Sequence, residues 1–477
     1  MSENKSTRDT SQGGSVREQL SAFFALRYTN PALFWQRSLF WTFWFHMAFF
    51  AVGYGFREVM PILSLVCLVM YYRYSWKESV LRTLPVKPLF ASLWVMMFIG
   101  VAFSIDPWES FLEVGSSFNK GLILPFIAME CVKSLKDLKR LVAALVISFF
   151  WVGLSGIWQA ITGFDFPMGY PTHAGRLTAA IGDYCVGNYL SLVLIPALGV
   201  WFIFRERFTF KKSLVLLCVV LAPGLFTLYG AAARSGLVAL VAAAFVWWAL
   251  VMRFWRWKVL VPAVLVLGLA GLLFFHDTSG RMSVQAFQDN GRWDLWDFAL
   301  AILRTWPIFG AGADMYNTAF RSLGLVPTKD LITIEHPHNL YLDILCSSGL
   351  VGASFGFFFL FGMLWWLGRR LLPRLRAIAD HFGENAAQEA QRGDADIPGR
   401  TSAYWQITGL FALGYLAWLV NGVTGHEFYR MWWLAQAMQG LGVALGAIVM
   451  GERCEKEEES GTPDKVTSAT AEGSIHE

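Results

Sequence analysis

The stretch LVAALVISFFWVGLSGIWQAI, residues 141–161, has no charged side chain in 21 positions. At about 1.5 Å per helical residue it is long enough to cross the roughly 30 Å hydrocarbon core of a bilayer. Working outward from it, further apolar runs occupy 38–55, 59–72, 88–104, 119–131, 186–204, 213–229, 235–252, 259–275, 350–368, 404–422 and 431–450. The chain therefore reads as an all-α polytopic membrane protein of about 12 transmembrane helices, a class that 55% hydrophobic and 16% charged residues also favour. The first 35 residues are polar and mixed in charge, with no short apolar core and cleavage site, so no secretory signal is expected. Six scattered cysteines without a C-x-x-C pair predict neither a disulfide framework nor a zinc site.

Charge gives the orientation. The connectors 73–87, 132–140, 205–212, 253–258 and 369–403 together hold 21 Lys and Arg residues, and those between them hold nine. Cationic loops stay on the cytoplasmic side, so both termini and the basic set are expected there. The organisation that follows is a cytoplasmic segment 1–37, one membrane domain 38–450 and a disordered cytoplasmic tail 451–477. The membrane domain includes a long outer loop 276–337, with short amphipathic helices, and an inner loop 369–403.

The outer loop leads into EHPHNLYLDILCSSGLVG, residues 335–352. Pro337 suits a first helical turn, which predicts a helix from about His338 with positions 338, 342, 345, 349 and 352 along one stripe. His338 then tops a face holding Gly349 and Gly352, where another backbone can approach closely. A helix N-terminus favours the neutral imidazole, able to accept a proton. A helix-capping interfacial histidine accounts for the same spacing. Glu335, His336, His338 and Asp343 also raise a metal site, since two histidines at i and i+2 of an extended segment share a side. There is no H-E-x-x-H pattern and Asp343 falls on another face, so no metal is expected.

Outer arginines run against the charge bias and call for a reason. Arg234 lies in GAAARSG between two apolar runs, Arg176 precedes another, and Arg292 opens a segment with Trp293 and Trp296 that reads as an interfacial amphipathic helix. Guanidinium binds phosphate through a planar two-pronged fork, so these residues suit an anionic lipid head, most economically a diphosphate. Pairing with a carboxylate, or snorkelling to lipid phosphate, is the plainer alternative. A transporter would carry ionisable groups near the bilayer midplane, and the runs offer little beyond His46 in the first and Glu130 near the end of the fourth.

The pattern H-N-x9-G-x-x-G from His338 to Gly352 resembles the signature of bacterial O-antigen ligases, within the wider ligase/polymerase superfamily. Upstream elements come in family order: Gly175-Arg176 with Asn188, ARSG at 233–236, Arg292 with Trp296, and WPIFGAG at 306–312. The similarity covers about 170–360. It implies a GT-C-type membrane glycosyltransferase at the periplasmic face of the inner membrane. Such an enzyme moves O-antigen from undecaprenyl diphosphate to a sugar hydroxyl of lipid A–core, inverting the anomeric centre without metal, nucleotide or other cofactor. His338 would be the general base, Arg234 with Arg176 and Arg292 would hold the diphosphate, and His336, Asn339, Gly349 and Gly352 would support them. The implied partners are the lipid-linked donor, lipid A–core and membrane lipids, with no nucleic acid. An O-antigen polymerase and a protein O-oligosaccharyltransferase share the superfamily, and a lipid-linked sugar transporter is the alternative of another class.

Overall fold

The computed structural model describes residues 16–53, 55–117, 121–166, 168–173, 175–182, 185–251, 292–326, 335–389 and 400–460. Among them the chain is helical, apart from turns and two isolated bridges, Phe164–Pro171 and His173–Arg176. In chain order the helices are α1 Val16–Thr29, α2 Pro31–Phe49, α3 Met60–Ser75, α4 Val80–Thr83, α5 Lys87–Ala102 and α6 Pro107–Ser117. There follow α7 Leu124–Cys131, α8 Leu135–Thr162, α9 Val186–Ala197, α10 Val200–Arg205, α11 Phe210–Gly230 and α12 Arg234–Val251. The last are α13 Arg292–Thr305, α14 Tyr316–Ser322, α15 Leu340–Glu389, α16 Arg400–Asn421 and α17 Met431–Ser460.

Among the described residues eight helical stretches are long and apolar enough to cross a membrane, and α5 is a shorter apolar helix. The expected span 259–275 lies outside the described residues, as do 390–399 of the inner loop and 461–477 of the tail. Of the run 119–131 the structure describes 121–131, where a π-helical turn at 121–122 leads into the eight-residue α7. α7 is enclosed, because Gly442 and Gly446 of α17 let its backbone approach. A Cβ at Gly442 would stand 2.5 Å from the Pro125 oxygen, and one at Gly446 2.3 Å from that of Met129. The tail is corrected: α17 continues to Ser460, where the sequence predicted disorder. His46 is a buried packing residue with Nδ1 3.0 Å from the Phe56 oxygen.

The described parts of the basic connectors 73–87 and 369–403 meet α17 at one end of the bundle. There Arg370 meets Glu452 at 3.3 Å, Arg374 meets Glu455 at 2.6 Å, and Arg453 donates to the Ser79 oxygen at 3.2 Å. These bonds carry helix into the stretch read as tail. At the other end the connectors hold one another through backbone bonds: Ile105 N to Ala311 O at 2.8 Å, Leu177 N to Gly230 O at 3.1 Å, and Leu340 N to Gly422 O at 2.7 Å. Every predicted site residue is at this second end or on the helices that open from it.

Candidate active site

α15 begins two residues later than the spacing predicts. Asn339 is its N-cap: the side-chain oxygen accepts from Tyr341 N at 2.9 Å and Leu342 N at 3.0 Å, while Nδ2 donates to Val423 O at 2.9 Å. An asparagine cap stabilises a helix start by about 1 kcal/mol. It leaves His338 outside the helix, with φ +50. A non-glycine residue held there costs on the order of 1–3 kcal/mol, a strain that clusters at functional sites. The H-N pair is thus a histidine fixed just ahead of a capped helix, which corrects the expected helix start at His338.

The predicted stripe is also interrupted. Gly349 has φ 62 and ψ −170, conformations essentially reserved for glycine, and α15 breaks there. In an unbroken helix Leu350 and Val351 would donate to the Cys346 and Ser347 carbonyls. Here they donate to Pro307 and Ile308 at 2.9 and 3.1 Å, while Ala311 and Gly312 donate to Cys346 and Ser347 at 2.7 and 3.1 Å. The WPIFGAG segment therefore replaces the missing turn bond for bond. A Cβ at Gly310 would lie 2.5 Å from the Gly349 nitrogen, so the two glycines need each other. Gly352, one turn further on, lies against Ser348 and Ile99.

α13 buries Leu295, Phe298, Ala299 and Ile302 along one face, as an amphipathic helix should. Trp296 of that helix donates to the Pro337 carbonyl at 3.1 Å, pinning the segment between the two histidines. Arg292, half-buried, opens the same helix. Arg176 lies on a turn whose Nε donates to the Ala231 oxygen at 2.8 Å, next to the turn that launches α12 with Arg234 as first residue. The two arginines are thus brought to one turn. Ser235, beside Arg234, bonds Asn188 Oδ1 at 3.0 Å, and Asn188 donates to Gly425 O at 3.2 Å. That contact ties the arginine turn to the loop 422–430.

This loop supplies residues that sequence reasoning missed. Glu427 places Oε2 3.3 Å from His336 Nε2 without the alignment of a hydrogen bond, and Arg430 lies 3.4 Å from its other oxygen. His336 and His338 rings meet edge to face with centroids 4.3 Å apart. Donor atoms of His336, His338 and Glu427 lie within 4.8 Å of one another, close enough to share a cation. Burial pushes the Glu427 carboxyl up to about 8, opposed by Arg430. Burial and the neighbouring His338 push His336 down to about 2, so its ring is neutral. Asp343, read as facing elsewhere, binds the other side of the loop, its Oδ2 accepting from Phe428 N at 2.8 Å. The signal available in sequence was His426, Glu427 and Arg430 crowded into one short connector. A cavity of about 360 Å³ opens beside His336 and Glu427.

Residues 217–358 match the family model described as O-antigen ligase. The match takes in Arg234, Arg292, WPIFGAG and the whole segment from His338 to Gly352, and leaves out Arg176, Asn188 and Glu427. No curated protein matches the chain.

Proposed function

We propose, taking as premise that the chain belongs to the O-antigen ligase family, that it transfers O-antigen from undecaprenyl diphosphate to a sugar hydroxyl of lipid A–core. The reaction is placed at the periplasmic face of the inner membrane, on a GT-C-type fold with about 12 spans. The observation that carries this reading is the joining of a strained, pinned histidine and an arginine-bearing helix start through one loop. Acid–base chemistry and anion binding then sit on the same end of the bundle.

In the reaction His338 takes the proton of the acceptor hydroxyl as its oxygen attacks the anomeric carbon. The bond from that carbon to the diphosphate breaks, and the leaving diphosphate carries away the electron pair. Arg234, with Arg176 and Arg292, neutralises the charge that builds on it. One displacement inverts the anomeric centre. Three fixed cations can supply the stabilisation that a divalent metal gives elsewhere, so transfer should proceed in chelator.

Lipopolysaccharide from a strain lacking the protein tests the assignment. A ligase predicts uncapped core with accumulation of lipid-linked polymer. Core capped by single repeats would assign a polymerase instead, and intact capping would remove the chain from this pathway. Purified protein that forms product only after metal is added would overturn the role given to the arginines.

A further inference from the structure

We infer that the cavity walled by Glu113, Asp314, Asn317, Glu335 and Glu427 is a carbohydrate subsite, holding the sugar headgroup of the lipid-anchored acceptor beside the histidine pair. The inference deepens the proposed function and rests on it.

The cavity and the arginine turn differ in charge. Four carboxyl groups and His336 line the cavity, Arg430 is its one cation among the described residues, and Arg176, Arg234 and Arg292 are not part of its wall. Such a wall offers a diphosphate one guanidinium among its described residues, whereas a polyol satisfies it, because carboxyl, amide and serine groups accept from and donate to hydroxyls. Its volume lies within the range of small-molecule sites.

Two buried groups point to an occupant. Glu427 is 3% exposed and His336 8%, and Glu427 Oε1, Glu427 Oε2 and His336 Nε2 complete no hydrogen bond in the protein. Buried polar atoms left in this way are costly unless something else fills the role. Asp314 adds a donor: burial, with Asp343 and Glu113 nearby, pushes its carboxyl up to about 8, so it keeps its proton at neutral pH. A single cation does not fit the whole cavity. Among the described residues only His336, His338 and Glu427 converge closely enough to share an ion, and Glu113, Asp314 and Glu335 stand apart from them.

Access for a lipid is built into α6. Its polar side gives Glu113, Ser116 and Ser117 to the cavity, while Trp108, Phe111 and Leu112 are exposed at 68%, 55% and 51%. Such a helix lies in a membrane interface with its apolar side in lipid. A lipid-anchored acceptor could keep its chains there and put its sugars into the cavity, within reach of His338.

The test uses the purified full-length protein with Glu113→Gln and Asn317→Ala. Kinetics are measured against acceptor at saturating donor, and against donor at saturating acceptor. Loss of one or two hydrogen bonds should raise the acceptor KM by about tenfold and leave the donor KM within about twofold. A rise in donor KM, or an unchanged acceptor KM, overturns the subsite. So does a wild type whose acceptor KM rises in chelator, which would make the cavity a cation site. Titration of the delipidated core oligosaccharide separates this inference from the reading beneath it. If the wild type binds the glycan and the variants do not, the subsite stands even where no transfer is seen and the ligase assignment fails. If the wild type binds no glycan, the subsite is wrong.

Discussion

Glu130 and Glu427 are both enclosed glutamates, at 0% and 3% exposure, one at each end of the bundle. Glu130 is fully provided for: Lys133 Nζ lies 2.9 Å away, the Tyr72 hydroxyl donates at 3.2 Å and Leu81 N at 3.1 Å. Glu427 completes no hydrogen bond through either side-chain oxygen and has Arg430 and His336 only at 3.4 and 3.3 Å. Removing a charge from water is costly, and ion pairing with well-made hydrogen bonds offsets that cost at Glu130. At Glu427 the offset is incomplete, as expected where a site is arranged for a guest or a moving proton. The difference separates an acid that holds the fold from one that the fold holds ready.

Five substitutions sharpen or break this contrast. The largest effect is expected for His338→Ala, which should lower transfer by on the order of 10² to 10⁴-fold while donor binding persists, since the phosphate contacts lie on other residues. His336→Ala should cost less. Joint loss of donor binding in both variants, measured with labelled lipid diphosphate, would make the pair structural and remove the base assignment.

Arg234→Lys comes next. It keeps the charge but not the two-pronged fork, so a loss of about 10²-fold in turnover is expected. Near wild-type turnover in the same assay ends the diphosphate role. At the other end of the bundle Glu130→Gln should act on folding alone. Lys133 loses its counter-charge, so the yield of folded protein and its melting temperature should fall, with activity per folded molecule unchanged. A drop in that specific activity would mean that the two glutamates are not as different as their surroundings imply.

The smallest effect concerns pH. The folded Glu427 carboxyl is raised from 4.5 to about 8, so the folded state binds the proton more tightly than the unfolded chain does. Its contribution to stability is fully present below pH 4.5 and is lost as pH rises through about 8. Asp314, raised from 3.8 to about 8, acts in the same direction. The melting temperature in detergent should therefore decline across this window, and Glu427→Gln should flatten part of the decline. A variant with the wild-type slope would show that Glu427 is ionised in the folded protein.

Apolar runs and loop charge alone determined that this is a polytopic helical membrane chain, because both report burial averaged over a whole span. The same linear record identified Asn339, Gly349 and Gly352 as a spaced group, since turn, cap and break residues are chosen locally. It misjudged what the spacing does. A stripe at positions 338, 342, 345, 349 and 352 assumes an unbroken helix, and the break at Gly349 exists only because WPIFGAG arrives to take over the hydrogen bonds of the missing turn. The enclosure of α7 escaped for a similar reason, as it depends on glycines of α17 more than 300 residues away in sequence. Glu427 lies 91 residues from His336, and no periodicity connects them. Tertiary structure alone decided which acid faces which histidine, because a contact between connectors is set by how the helices beneath them pack.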